Sequence, residues 1–318
     1  MRKLEYFPVQ FFAIIMGISG LTIAFAKAWH FLKIESLYYI YQLLLIIDTA
    51  LFFVIFTTYI IKWIKYPQAI QKEFSHPVKS SFAATISISF LLLSIAYYDI
   101  VPTIAIVFWY IGAPLHLFFT YKVMKFWIEH KFEITQINPA WFIPIVGNVL
   151  VPVVGFDTQN EFINLFYFSI GIFFWIVLFT IVMYRMIFHH PMPKKLLPTL
   201  FILIAPPAVG FISYFRLTFG LINLESLFLY FIALFIFVLL ISMAKNFLKI
   251  EFFISWWAYT FPLAAFTIAT ILIDSAYNNI TLKLFSLILL TLTTIIVGYV
   301  FLKTLNAIKN KKICIEEE

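Results

Sequence analysis

Long apolar runs joined by short connections constrain the fold of this chain more than any other feature. Of its 318 residues, 63% are hydrophobic and 12% are charged, whereas an ordinary soluble domain carries about 25% charged residues. A soluble protein of this composition would lack the polar surface that covers a large core. The pattern therefore excludes a soluble, a disordered or a collagen-like protein and predicts an integral membrane protein.

A helix needs about 20 mostly apolar residues to cross the hydrocarbon core of a bilayer. Ten segments meet this requirement, and we number them spans 1 to 10. Their predicted limits are about 8–26, 37–61, 80–98, 101–121, 139–156, 161–184, 197–219, 226–244, 252–273 and 281–302. Tight turns are expected at Asp99, between spans 3 and 4, and at Asp157 to Glu161, between spans 5 and 6. The sequence thus predicts an all-α fold with one transmembrane domain over residues 1–318 and short tails.

The basic residues indicate how the spans are oriented. Eighteen of the 22 Lys and Arg residues fall in the two tails and in the connections that follow even-numbered spans, whereas four follow odd-numbered spans. Because Lys and Arg are enriched on the cytoplasmic side, both termini are predicted to be cytoplasmic. The net charge of +7 is therefore explained by membrane topology, and no nucleic-acid partner is expected.

Glycine and proline are concentrated in the odd-numbered spans, which hold 13 of them against five in the even-numbered spans. A broken helix leaves backbone groups that lipid cannot bond, so breaks occur where protein or a water-filled cavity satisfies those groups. We therefore predict that the odd spans form an interior path and that the even spans mostly face lipid. The alternative is that these residues serve packing, because small residues also favour close contact between membrane helices.

Four motifs in a fixed order carry a resemblance to a known family. They are Ser75-His76-Pro77-Val78, Asn138-Pro139 with Val146-Gly147-Asn148, Pro198-Thr199-Leu200 leading to Ala205-Pro206-Pro207, and Trp256-Trp257-Ala258-Tyr259-Thr260-Phe261-Pro262. With them the chain resembles the tellurite-resistance/dicarboxylate transporter family (TehA-type), which includes plant slow anion channels and fungal malate and sulfite transporters. The resemblance implies ten transmembrane helices arranged as five helical hairpins around a central pore with quasi-fivefold symmetry. It also implies a homotrimer in the plasma membrane, with one pore in each subunit.

The resemblance further implies that an aromatic ring of span 9 occludes the pore, and this position falls on Phe261. In the sequence, Phe261 directly precedes Pro262, which removes a backbone donor and disturbs the preceding turn, so the ring can be aimed into the lumen. The alternative is a core side chain, since Phe261 is one of 40 phenylalanines. A small residue of span 1 that is often glycine in the family falls on Ala13, whose methyl group would narrow the path or be accommodated.

The candidates for lining the pore are small, polar or helix-breaking residues of the odd spans. They are Ala13, Gly17, Gly20, Thr85, Asn148, Pro206, Pro207 and Pro262. No Lys or Arg falls in the middle of an odd span, so exposed backbone N–H groups, rather than a fixed cation, are expected to attract anions. Asp48 is the one acidic residue well inside a span, where it is either a proton-coupling group or a hydrogen-bonded structural group.

These observations predict a gated channel for small monovalent anions such as chloride and nitrate. The alternative is a proton-coupled transporter of C4-dicarboxylates such as malate, or of sulfite or tellurite, in which Asp48 would carry the proton. The spans hold no paired carboxylates, no serine-nucleophile motif and no metal-ligand spacing, which argues against an enzyme. No cofactor or metal is predicted, and the expected partners are small inorganic or organic anions and the lipid bilayer.

Overall fold

The computed structural model describes residues 4–155 and 161–315. Within these ranges nine helices are long and apolar enough to cross a membrane, and a shorter apolar segment lies at the position of span 5. In chain order, the spans occupy Val9–Leu32, Glu35–Lys65, Lys79–Tyr97, Pro102–Glu129, Pro139–Gly155, Glu161–Phe188, Lys194–Leu217, Leu224–Ser242, Ile254–Tyr277 and Ile280–Lys309. The described part of the chain is thus all-helical, and the protein is a multi-pass membrane protein.

The connections between the spans are short. They hold α-helices at Pro67–Phe74 and Ala244–Phe247 and a 3₁₀-helix at Ile134–Gln136. Residues 98–101 join spans 3 and 4, as predicted for Asp99, whereas most of the predicted turn between spans 5 and 6 lies outside the described residues. Spans 2, 4, 6 and 10 run past their predicted C-terminal ends, and span 10 continues to Lys309. Span 8 ends at Ser242, just short of its predicted end.

Odd-numbered and even-numbered spans differ strongly in burial. In the most apolar part of each helix, 83–94% of spans 1, 3, 7 and 9 is buried, against 28–44% of the even spans. Every residue of span 5 is buried as well. The even spans expose large apolar side chains such as Phe53, Phe173 and Phe235, which suits a lipid environment. The prediction of interior odd spans and outward-facing even spans is therefore confirmed.

The odd spans pack against one another in a closed order. Span 1 contacts spans 3 and 9, span 5 contacts spans 3 and 7, and span 7 contacts span 9. Each odd span also packs against the even span that follows it in the chain. The odd spans therefore enclose a common interior.

Each odd span changes its backbone geometry along its length. In span 3, residues 83–84 separate the α-helices Lys79–Phe82 and Thr85–Tyr97. The other odd spans contain 3₁₀ stretches at Val9–Phe11, Pro139–Phe142, Gly147–Leu150, Lys194–Ile204 and Ile254–Tyr259. The stretch in span 7 is 11 residues long, although 3₁₀ runs of more than about four residues are uncommon. Proline, which lacks an N–H donor, accounts for part of this irregularity.

A buried ion pair fixes the connection between spans 2 and 3. The Nζ atom of Lys62 lies 2.8 Å from Oε1 of Glu73 and donates to the carbonyl oxygen of Phe7 at 2.8 Å. The hydroxyl of Tyr59 donates to Oε2 of Glu73 at 2.9 Å. The side chains of Lys62 and Glu73 are 1% and 10% exposed. This network ties span 2 to the helix Pro67–Phe74 and to the N-terminal segment.

We expect Glu73→Gln to lower the free energy of unfolding by about 3–5 kcal/mol, because it leaves the Lys62 ammonium buried without a counter-charge. Glu129→Gln is the matched control, since it breaks the exposed Lys125–Glu129 pair at 3.4 Å and is expected to cost less than about 1 kcal/mol. Chemical denaturation of the purified protein in detergent measures both values. Equal losses for the two variants would contradict the assigned role of the buried pair.

Candidate functional site

Two cavities lie in the interior that the odd spans enclose, and each is lined by residues of all five odd spans. The first cavity has a volume of about 400 Å³ and lies towards the N-terminal ends of the odd spans. The second cavity has a volume of about 170 Å³ and lies towards their C-terminal ends. The two cavities therefore follow one another along the axis of the bundle.

The rim of the first cavity is basic. His76, Lys79 and Lys195 line it, and His76 and Lys195 are exposed. Among the described residues, no Asp or Glu lines this cavity, and the deeper wall consists mainly of apolar side chains such as Met16 and Ile202. Positive charge at a rim of low dielectric constant raises the local concentration of anions.

The second cavity also has an apolar interior and charged groups at its rim. Lys27 and Asp99 line it and form an ion pair with an Nζ–Oδ2 distance of 3.0 Å. Arg216 lines it too, where its Nε donates to the carbonyl oxygen of Val153 at 3.1 Å and its guanidinium lies 5.3 Å from the ring centre of Tyr98. This rim therefore carries both signs of charge.

Three side chains line both cavities, namely Leu150, Val209 and Phe261. We call them the septum, because they are the described residues that the two cavities share. Phe261 is the largest of the three and is 8% exposed. An apolar constriction of this kind opposes the entry of water and ions.

Phe261 lies in the first turn of an α-helix, Thr260–Tyr277, that follows the 3₁₀ stretch Ile254–Tyr259. Pro262 is the next residue, and an α-helix tolerates proline there because the first N–H groups have no partner within the helix. The change from 3₁₀ to α geometry thus falls immediately before the septum ring.

Glycines of span 1 allow span 9 to approach closely. A Cβ atom built on Gly20 would lie 3.3 Å from Cδ2 of Phe261 and 2.9 Å from Cβ of Ala264. A Cβ atom on Gly17 would lie 2.9 Å from the indole ring of Trp257. Span 9 therefore packs closely against Gly17 and Gly20 of span 1, and the Phe261 ring packs against Gly20.

The structure distributes the other predicted pore residues between the cavity wall and the layer behind it. Ala13, Thr85 and Pro262 line the first cavity. Pro206 and Pro207 are buried in the first turn of the α-helix Ala205–Leu217. The cavity wall beside them is formed by the neighbouring residues of span 7, Ala205 and Val209.

Asn148 lies behind the cavity wall, between spans 4 and 5. Its Nδ2 donates to Oγ1 of Thr120 at 2.9 Å and to the carbonyl oxygen of Ile145 at 2.9 Å. Thr120 in turn donates to the carbonyl oxygen of Pro144 at 2.7 Å. These side chains donate to backbone carbonyl groups of the interrupted helix of span 5. A helix break inside a membrane requires such partners, because lipid cannot supply them.

Asp48 lies between spans 1 and 2 and is fully buried. The hydroxyl of Ser19 donates to its Oδ2 at 2.5 Å, and its Oδ1 has no hydrogen-bond partner among the described residues. Asp48 lines neither cavity. The structure therefore does not bring it together with Phe261.

Sequence reasoning did not identify Leu150 and Val209 of the septum, or Lys27, Asp99 and Arg216 of the second rim, as site residues. Aliphatic side chains are too common in this chain to signal such a role. The charged residues had a usable signal, because each lies near the C-terminal end of an odd span, within the last turns or just beyond them.

An interior path with charged rims and an apolar septum, inside a multi-pass membrane protein, suits an anion channel or transporter. The profile of the voltage-dependent anion channel family (SLAC1) matches residues 6–305, and the chain belongs to this family. The resemblance found in the sequence motifs is thereby confirmed.

Individual relatives are similar over most of this chain. An uncharacterized transporter of Methanocaldococcus jannaschii is 28% identical over 301 residues, covering 86% of this chain and 87% of the relative. The S-type anion channel SLAH2 of Arabidopsis thaliana is 30% identical over 304 residues, covering 92% of this chain and 58% of the relative. The more distant sulfite efflux pump SSU1 of Arthroderma benhamiae is 23% identical, covering 86% and 83%. This chain thus spans little more than half the length of the plant channel, and these names describe channels, transporters and pumps rather than enzymes.

We expect Gly20→Ala to destabilise the protein by about 1–3 kcal/mol, because the added methyl group overpacks the contact between spans 1 and 9. Gly298→Ala is the control, since no atom of the described residues lies within 4 Å of a Cβ built there; it is expected to be neutral or to stabilise by up to about 1 kcal/mol. Denaturation in detergent measures both. Adding Phe261→Ala should recover part of the free energy of unfolding that Gly20→Ala loses. Strictly additive losses would show that Phe261 does not pack against Gly20.

Proposed function

We propose that the protein is a gated anion channel that passes small monovalent anions, such as chloride and nitrate, along the line of the two cavities. The observation that carries this proposal is the septum, because Phe261 lines both cavities. Among the described residues three side chains are common to the two cavities, and Phe261 is the largest of them, so a rotation of its ring would join the cavities. The aromatic ring then acts as the gate, and hydrophobic gates of this kind work by dewetting.

The preference for anions comes from the rims. Lys79 and Lys195 line the first cavity, and their positive charge would raise the concentration of anions there. The apolar walls beyond the rim bind anions weakly, and weak binding lets an ion leave again. The path would therefore select for the sign of charge more strongly than for one particular anion.

We further propose that the chain is a single transmembrane domain of five helical hairpins around the path, with quasi-fivefold symmetry. Its support is that each odd span packs on the following even span and that the odd spans contact one another in a closed order. The distribution of Lys and Arg supports cytoplasmic termini. The homotrimer and the plasma membrane location follow from the family resemblance and stay predictions.

A proton-coupled carrier of malate, sulfite or tellurite is the second candidate. Two observations favour it: the buried carboxyl group of Asp48 and the name of the fungal relative, which is a sulfite efflux pump. A coupling carboxyl group is expected along the transport path. Because Asp48 lines neither cavity and is bonded to Ser19, we favour a structural role for it and a channel for the protein.

We expect Phe261→Ala to raise the anion conductance of the reconstituted protein at least about tenfold, because it removes the largest side chain of the apolar constriction. Phe266→Ala is the matched control, since Phe266 lies in the same helix, is fully buried against Tyr230 and Phe237, and lines neither cavity. Conductance in planar bilayers measures both variants. An unchanged conductance in Phe261→Ala, or an equal increase in Phe266→Ala, would show that the ring is not the gate.

Asp48→Asn decides between the two candidates. For a channel, we expect liposome flux to follow the anion gradient and the membrane voltage, and to ignore an imposed proton gradient in both the wild type and Asp48→Asn. Ser19→Ala serves as the control, because it removes the hydrogen bond and keeps the carboxyl group. Proton-driven anion accumulation that is lost in Asp48→Asn and retained in Ser19→Ala would establish the carrier.

A further inference from the structure

Asp99 is the one carboxylate among the described residues that line either cavity. It lies at the rim of the second cavity, together with the cationic side chains of Lys27 and Arg216. A carboxylate at the mouth of a path for anions repels them unless a cation neutralises it. Its presence at this mouth therefore calls for a physical explanation.

The backbone holds Asp99 in place at this rim. It lies in the turn that joins spans 3 and 4, where the N–H groups of Ile100 and Val101 donate to the carbonyl oxygen of Tyr97 at 3.1 and 2.8 Å. Its carboxylate reaches Lys27, at the far end of span 1, with an Nζ–Oδ2 distance of 3.0 Å. The pair thus links span 1 to the turn between spans 3 and 4 at the rim of the second cavity.

The ion pair is partly open to solvent. The side chains of Lys27 and Asp99 are 24% and 22% exposed, in contrast to the buried pair of Lys62 and Glu73. Partly exposed ion pairs are weak and are screened by salt. A small anion from solution therefore competes with the Asp99 carboxylate for the ammonium group of Lys27.

We propose that Asp99 is a built-in counter-anion at the rim of the second cavity. It occupies Lys27 while no other anion is present, and a chloride or nitrate ion that enters from this side replaces it on Lys27. Lys27 is then an anion-binding residue, and Asp99 lowers the apparent affinity of this mouth for anions. The inference rests on the proposed function of the path and adds a recognition step on one side only.

The first test measures conductance in asymmetric bilayers at low ionic strength, with every variant made in the Phe261→Ala background so that the septum ring does not limit the current. Asp99→Asn should raise the current about two- to threefold for one direction of anion entry only, because the mouth gains one net positive charge. Lys27→Gln should lower the same current by a similar factor. The double variant Lys27→Gln/Asp99→Asn has the net charge of the wild type and should lie between the two. All differences should shrink in about 1 M salt, where the screening length is about 3 Å.

The controls separate a local effect from a general one. Glu129→Gln removes a carboxylate from an ion pair that lines neither cavity and should leave the current unchanged. Asp99→Ser provides a second neutral substitution in case the turn does not accept asparagine. An unchanged or reduced current in both Asp99 variants at low salt, or an equal rise in Glu129→Gln, would overturn the proposal.

A measurement of nitrate binding tests the Lys27 site without depending on ion conduction. Sodium nitrate is titrated onto the detergent-solubilised protein, with sodium gluconate at matched ionic strength, and the thermal unfolding midpoint is followed. The nitrate concentration for half-maximal stabilisation should fall about two- to threefold in Asp99→Asn and rise in Lys27→Gln. Absence of anion current in Phe261→Ala would contradict the proposed function, whereas equal nitrate titrations in all variants would contradict the counter-anion.

Discussion

The whole arrangement depends on one constraint, which is that lipid cannot bond a free backbone N–H or C=O group. Interrupted helices must therefore lie inside the protein, and continuous helices can lie outside. Within the described residues, the odd spans contain 3₁₀ stretches or a turn and are almost fully buried, whereas more than half of the residues in the most apolar part of each even span are not buried. Side chains complete the bonding where a break occurs, as Asn148 and Thr120 do around span 5.

The same constraint explains how a path can exist in so apolar a chain. Small residues such as Ala13 and Thr85, each in the first turn of an α-helix that follows an interruption, line the cavity wall, and charged groups remain at the two rims. An anion would meet charge on entry and an apolar septum in the middle. Close packing of span 9 on Gly20 holds the Phe261 ring at that septum, so the position of the proposed gate is set by a residue that has no side chain.

Much of this fold could be predicted from the sequence, because length and hydropathy define membrane spans and because Gly and Pro mark the interior ones. In the even-numbered span 4, Gly112 faces Phe90 and Leu91 of span 3, so this glycine allows close helix packing and does not mark an interior span. Phe261 was located through the resemblance and not through its chemistry. Leu150 and Val209 could not be found, since only their position in space distinguishes them. The pairing of Lys27 with Asp99, 72 residues apart, likewise depends on tertiary contacts that no local pattern contains.

The most direct test of the account is the reversal potential of Phe261→Ala in a planar bilayer with a tenfold chloride gradient. This measurement shows whether the path becomes continuous when the septum ring is removed. It also shows whether the path conducts anions or cations. The account predicts a reversal potential close to that of chloride, about 59 mV in magnitude for a monovalent ion, with the sign of an anion. A reversal potential near zero, or one with the sign of the cation, would contradict it.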